Sequence, residues 1–226
     1  MGQFSKVAVS WSGGKDCCLA LNEANNNGLQ PVVLLCMMDP DRDYSRSNGV
    51  SKQILEMQAK SLQLPIYFVP SDWDQYKDNI IKALTKLKNT YQIEGCIFGD
   101  IDIEGHRMFE ESICNETGII AYLPLWGIER STIKNKMIRL GIKSKLSVIS
   151  KSFNIAEFIA YDYHMLDFSK LKDLGVDICG ENGEFHTVVY SAPLFKSLIH
   201  LEVQTIYDLK SVLLCDFIAT EISKPI

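Results

Sequence analysis

Side chains able to act on phosphate are concentrated near the start of the chain. Ser12-Gly13-Gly14-Lys15-Asp16 lies between an apolar, β-rich run, Val7 to Ser10, and a segment with helical spacing. Two adjacent glycines let the backbone turn tightly and approach an anion closely. A helix beginning there offers unpaired N–H groups and a partial positive charge. With the Ser12 hydroxyl and the Lys15 ammonium, this makes a nest for phosphate or pyrophosphate. The pattern is neither Gly-x-x-x-x-Gly-Lys-Ser/Thr nor Gly-x-Gly-x-x-Gly, because its glycines are adjacent and Asp16 follows the lysine. A plain strand-to-helix turn would account for the glycines, but not for the serine before them and the Lys-Asp pair after.

A second cluster, Gly99-Asp100-Ile101-Asp102-Ile103-Glu104-Gly105-His106-Arg107, follows the apolar run Cys96 to Phe98. In an open parallel sheet, ligands bind at the carboxyl ends of strands. Gly99 would permit close approach to a nucleotide. Asp100 or Asp102 would help hold Mg2+, which prefers a few carboxylates plus phosphate oxygens. Arg107 would stabilise charge on a reacting phosphoryl group. A solvated surface loop is the plainer account, and for His106 it is at least as good.

The third cluster is Cys179-Gly180-Glu181-Asn182-Gly183-Glu184-Phe185-His186-Thr187. A hairpin turn between Val176–Ile178 and Val188–Tyr190 would explain the glycines and Asn182. It would not explain polar groups that persist up to Phe185.

Elements must hold these clusters together. Cys17, Leu21 and Ala24 recur at helical spacing, and Gly28 ends that helix. Val32 to Met37 suits a strand buried on both faces. A polar loop, Asp39 to Asn48, leads to a helix carrying Val50, Ile54 and Met57. The rhythm continues with a strand at Ile66 to Val69, a helix with Tyr76, Ile80, Leu84 and Leu87, a strand at Cys96 to Phe98, a helix from Met108 to Thr117 and a strand at Ile119 to Leu123. Strands and helices alternating in this way predict βαβ units, a parallel sheet and helices on both faces. The predicted boundary falls near Pro124, dividing the chain into 1–124 and 125–226. The second part predicts a smaller α+β unit, with helices over Glu129 to Leu140 and Asn154 to Leu174. Its predicted strands are Thr187 to Tyr190, Leu198 to Val203 and Val212 to Ala219.

Bulk composition narrows the function classes. With 46% hydrophobic and 23% charged residues the chain reads as globular. The opening residues show no basic-then-apolar leader, and no apolar run approaches a bilayer span. Seven cysteines, an odd number without a Cys-x-x-Cys pair, fit reduced buried thiols and argue against zinc or dithiol chemistry. A cytoplasmic location without membrane attachment is the expectation. A net charge of −5 disfavours nucleic-acid partners. The stretch Arg130 to Lys151 dissents, with seven basic residues and no acidic one, and is read as a solvated face.

The run Val9-Ser10-Trp11-Ser12-Gly13-Gly14-Lys15-Asp16 resembles the loop of the PP-loop ATP pyrophosphatases. The resemblance implies strand order 3-2-1-4-5, ATP with Mg2+ as cofactors, and splitting of ATP to AMP and pyrophosphate. It implies that Ser12, Gly13, Gly14, Lys15, Asp16 and Cys17 hold the pyrophosphate, with Gly99 and Asp100 across one crevice and adenine near Met37. The family's loop usually continues with Ser or Thr. Here Cys17, a weak donor, would leave the grip to backbone N–H groups.

Gly-Glu-Asn-Gly-Glu-Phe-His-Thr at 180–187, with Pro124-Leu125-Trp126-Gly127, is similar to the diphthine–ammonia ligase family, in a branch where Asn182 and His186 replace Gly and Glu. That implies a ligase that adenylates a small-molecule or protein-borne carboxylate and then transfers ammonia or an amine to it. Lys15 and Arg107 would stabilise charge, and Glu184 would orient or deprotonate the amine. Glu181 would anchor it, while Asn182 and His186 would read the substrate. The same fold with another substrate (a cobalamin-related acid or tRNA), or a nucleotide sensor without catalysis, are the alternatives, and a homodimer is compatible with each.

Overall fold

The computed structural model describes residues 5–223. Part of the opening segment read above as leaderless therefore lies outside the described residues. Strands β1 (Lys6–Ser10), β2 (Gln30–Met38), β3 (Ile66–Pro70), β4 (Gly95–Ile97) and β5 (Ile120–Tyr122) form one parallel sheet. Its order is β3-β2-β1-β4-β5, as the resemblance implied.

Period-two alternation divides these strands between two cores. Leu34, Cys36 and Met38 of β2 face one side and Val33, Leu35 and Met37 the other. Helices α1 (Lys15–Asn26) and α2 (Lys52–Leu62) cover the first side. Helices α3 (Tyr76–Tyr91) and α4 (Glu104–Thr117) cover the second. Helix α4 starts four residues earlier than its apolar spacing predicted.

The rest of the chain builds helix α5 (Arg130–Leu140), strand β6 (Lys143–Ser150), helix α6 (Phe168–Asp173) and strands β7 (Phe185–Ser191), β8 (Ser197–Asp208) and β9 (Val212–Ser223). The four strands form an antiparallel sheet in the order β7-β6-β9-β8. Ile133 and Met137 of α5 and Phe185, Val188 and Val189 of β7 join the core that holds Val9, Trp11 and Leu34. The two sheets thus share buried apolar surface, which fixes the C-terminal loops against the parallel sheet.

Three expectations are corrected. Strand β6 lies inside the basic stretch and was not foreseen, because its lysines obscured a period-two pattern: Lys143 and Lys145 face outward, Ser144 and Leu146 inward. The long helix over 154–174 does not form. Ala160 takes φ 63°, its N–H donates to Leu146 O, and Leu146 N–H donates to Tyr161 O. Helix α6 then begins only at Phe168, after Asp167, whose carboxylate accepts from the N–H groups of Ser169 and Lys170. Val176–Ile178 is not a strand; β7 pairs with β6 instead. In the basic stretch, Arg130, Lys136, Lys145 and Lys151 are each ion-paired, which neutralises much of it.

Candidate active site

A cavity of about 680 Å3 opens over the carboxyl ends of β1 and β4, between the phosphate-type loop, α4 and the loop before β7. Gly13 takes φ +82°, a conformation that side chains rarely adopt. A Cβ on Gly14 would sit 2.1 Å from Asn48 Nδ2, so a side chain there would displace the Asn48 amide from Thr187 O.

A clamp joins Asn48 and α2 to β7 of the second sheet, with Asn48 Nδ2 donating to Thr187 O at 3.0 Å. Lys15 N–H donates to Thr187 Oγ1 at 3.1 Å, and Val189 N–H donates to Gly13 O at 2.9 Å. Gln58 is fully buried. Its Nε2 donates to Gly13 O and Val189 O at 3.0 and 2.7 Å, and its Oε1 accepts from Trp11 Nε1 at 2.8 Å. The loop is therefore held in shape by β7 and α2 together.

Lys15 is buried beneath the cavity. Its ammonium donates to Asp16 Oδ2 at 2.7 Å and to Cys179 O at 2.5 Å, against the rings of Tyr163 and Phe185. Burial pulls its pKa down, but Asp16, Cys179 and Glu181 more than offset that, and it is raised overall. Burial pushes Asp16 up, partly opposed by Lys15 and reinforced by Asp100. Asp16 Oδ1 is buried without a hydrogen-bond partner. Cys17 Sγ donates to Gly14 O at 3.1 Å and accepts from Ser12 Oγ at 3.5 Å, so the thiol braces the turn from within.

The cavity brings together Ser12, Lys15, Asp16, Cys17, Gly99, Asp100, Glu181 and His186. Gly13 and Gly14 shape the turn from behind. Gly99 is close to α1: a Cβ there would lie 2.8 Å from Cys17 N, so its absent side chain lets two loops touch. Burial and the Asp16 charge push Glu181 up to about 8 against the pull of Lys15.

Other predicted site residues do not reach the cavity wall. Arg107 points along another face of α4, where its Nε pairs with Glu111 at 2.8 Å and its guanidinium covers Trp126. The wall-forming face of α4 begins at its cap and repeats at helical spacing: Ile103, His106, Phe109 and Glu110. Asp102 is bound to Arg130, which removes it from any metal role at this cavity. Met37 packs in the second core, and its carbonyl accepts from Arg46 N–H at 2.9 Å, because the loop after β2 folds over the strand end.

Glu184 is fully buried behind the cavity. It accepts from Asp177 N–H at 2.8 Å, Asn182 N–H at 2.9 Å and Asn182 Nδ2 at 3.2 Å. Its carboxylate is taken up by the amides of the loop that presents Glu181 and does not reach the cavity wall, and Asn182 belongs to the same internal cap. These are corrections of orientation, which residue type and spacing do not define.

Glu110 was missed. It lines the cavity, with burial and then the hydrogen bond and charge of Asp100 raising it to about 10. A carboxylate three residues before Ile113 on an apolar helical stripe was the available signal. Trp73 and Tyr76, stacked at 5.3 Å, also line the wall and were not singled out as a pair.

The donor set fits Mg2+ in one respect. Asp16 Oδ1 is an orphaned, hard oxygen beside Asp100. Among the described residues no group of three or more His, Cys, Asp or Glu could hold a metal ion. Two neighbouring carboxylates are a set to which phosphate and water could add the remaining ligands of Mg2+.

His186 is half-buried at the cavity, and its pKa falls to about 4, first through desolvation and then through Lys15. The native state therefore binds fewer protons than the unfolded chain between about 4 and 6.5, so this group's contribution to stability declines as pH falls through that window. His186→Gln is expected to reduce the loss of stability between pH 6.5 and pH 4. Paired urea titrations at the two pH values measure the difference.

Family models and several named proteins match the chain. A family model described as diphthamide synthase N-terminal domain matches residues 5–121, and one described as diphthamide synthase C-terminal domain matches residues 161–215. A Mus musculus protein named diphthine–ammonia ligase is 25% identical over 222 residues, covering 86% of this chain and 82% of that protein. A Danio rerio protein of the same name is 24% identical over 220 residues, covering 84% of each. A crystal structure titled "predicted subunit of tRNA methyltransferase", from Methanocaldococcus jannaschii, shares 17% identity and covers 84% of this chain and 98% of that one, with a TM-score of 0.42.

Proposed function

The chain belongs to the diphthamide synthase family, and on that premise we propose that it is an ATP-dependent amide-forming ligase. Residues 1–124 bind ATP and residues 125–226 contribute the substrate side. The observation that carries this reading is the Ser12–Asp16 loop, braced by the second sheet and exposed to a cavity that also holds Asp100 and Glu181.

The loop and the first turn of α1 receive the pyrophosphate end of ATP. The Lys15 N–H is taken by Thr187, which leaves the following first-turn amides, without intrahelical partners, to face the anion. Buried Lys15 supplies positive charge beneath it. Asp16 and Asp100 would hold Mg2+, which supplies charge neutralisation on the phosphates.

A substrate carboxylate attacks the α-phosphorus, and pyrophosphate leaves. Ammonia attacks the carbonyl carbon of the acyl-adenylate, AMP departs, and the amide remains after proton loss. Glu181, raised to about 8, is mostly protonated at neutral pH and accepts a proton from the attacking nitrogen in its ionised form, whose share grows as pH rises toward 8. His186, neutral there, presents a ring without added charge.

Calorimetry with ATP followed by an assay for pyrophosphate and AMP tests the proposal. The expected result is ATP binding, and AMP formation that requires both a carboxylate substrate and ammonium. Binding without pyrophosphate release across carboxylate substrates, including a diphthine-bearing protein, would point to a nucleotide sensor instead. Among the described residues no helix is long and apolar enough to cross a membrane.

A further inference from the structure

Arg130 opens α5, the first element after the parallel sheet, and its guanidinium meets carboxylates from two loops. Toward the loop after β4, Nη1 donates to Asp102 Oδ2, and Nη2 donates to Asp102 Oδ1 at 3.2 Å. Toward the loop before β7, Nε pairs with Asp177 Oδ2. The Arg130 carbonyl accepts from Cys179 Sγ of that same loop at 3.6 Å. Arg130, Asp102 and Asp177 all stand behind the cavity wall, whereas Asp100 and Glu181, carried by the same two loops, are on it.

Asp177 is the hub of the loop that carries Glu181. Its N–H donates to Glu184 Oε1 at 2.8 Å, its carbonyl accepts from Gly180 N–H at 3.0 Å, and its Oδ1 accepts from Cys179 N–H at 2.6 Å. Oδ2 faces Arg130, so the guanidinium fixes the hub without competing for these bonds. Glu181 follows two of the residues held in this way and precedes Asn182, whose N–H is held by Glu184. The β4 side is anchored independently: Ile101 is 1% exposed, and its carbonyl accepts from Gly127 N–H at 2.8 Å. The Glu181 loop, between the end of α6 and the start of β7, has no regular secondary structure of its own to fix it. A planar fork presents three nitrogens to two carboxylates at once, which a lysine ammonium cannot do in that geometry.

We propose that Arg130 is a positioning residue that ties the Glu181 loop to the Asp100 loop and so sets how Glu181 faces the cavity. The link itself stands on the contacts; its consequence for acyl transfer rests on the ligase reading above. The phosphate-type loop is braced by Gln58, Asn48 and Thr187 instead, so ATP affinity does not run through Arg130.

Hydrogen exchange of the full chain, read by mass spectrometry, tests the link. Asp102→Ala is the informative variant, since Asp102 reaches the Glu181 loop through Arg130. It is expected to speed exchange over residues 177–184 about tenfold or more and to leave β6 unchanged. Arg130→Lys, which keeps the charge and loses the fork, should do the same. In an assay of ammonium-dependent AMP formation, Arg130→Lys is expected to lower kcat about tenfold to a hundredfold. Its ATP affinity should stay within about threefold of wild type. A guanidinium that only neutralised charge would be replaced by lysine without loss. Unchanged exchange over 177–184 in Asp102→Ala, unchanged kcat in Arg130→Lys, or an ATP affinity that falls as far as kcat would overturn the assignment. If the Arg130 variant does not fold, Asp102→Ala decides, because the Asp102 side chain is 41% exposed and its truncation strands no buried charge of its own. Wild type that forms no AMP would sink the ligase reading, and the exchange result would then judge the link alone.

Discussion

Lys15→Met is expected to abolish ATP binding and to destabilise the protein by about 3–5 kcal/mol, the range seen when one member of a buried ion pair is removed. The Lys15 side chain is 3% exposed and is Asp16's ion-pair partner at 2.7 Å. Removing the ammonium leaves Asp16 close to Asp100 and Glu181, with no opposing charge from the loop. It also leaves Cys179 O without that donor. Urea unfolding measures the stability change, and calorimetry reads ATP affinity. The double variant Lys15→Met/Asp16→Asn separates the two roles, because it removes the stranded carboxylate. It should recover most of the stability and none of the ATP binding. Undiminished ATP binding by folded Lys15→Met would contradict the loop's assignment.

Gln58→Leu is expected to cost about 2–4 kcal/mol, from several buried polar groups that lose a partner together. Leucine fills similar space but cannot serve Trp11 Nε1, Gly13 O and Val189 O. The consequence for function is indirect and large. Gln58 reaches the phosphate-type loop, β7 and the residue after β1 at once, so its loss frees the turn that must present its amides as a set. ATP affinity should fall although Gln58 is not on the cavity wall. Gln58→Glu, which retains the acceptor but not the amide donor, should keep part of the Trp11 contact and lose the two carbonyl contacts. A Gln58→Leu protein with wild-type unfolding midpoint and ATP affinity would show that the clamp is dispensable.

The parallel sheet was legible because each of its elements announces itself locally. Val32 to Met37 has no polar interruption, and the helices that follow β1, β2 and β3 keep apolar positions at spacings of three and four. The C-terminal sheet was less legible. Lys143 and Lys145 mask the inward Ser144 and Leu146, and the helical spacing after Asn154 is overruled by hydrogen bonds from β6 to residues 160 and 161. Tertiary pairing there outweighs weak local propensity.

For the site, the amino-acid sequence alone determined where a tight glycine turn opens a helix beside a lysine. Glycines, a helix start and a lysine in succession act through backbone geometry within a few residues, and that chemistry travels with the chain. Only the tertiary structure decided which polar side chains face the cavity. Arg107 and Glu110 are three residues apart, yet only Glu110 reaches the cavity wall, because the rotation of α4 sets their directions. Glu181 and Glu184 are equally close in sequence, and loop folding exposes one to the cavity while the other binds the loop's own amides. Direction of this kind follows from how distant elements pack, which is a property of the assembled core rather than of any local run of residues.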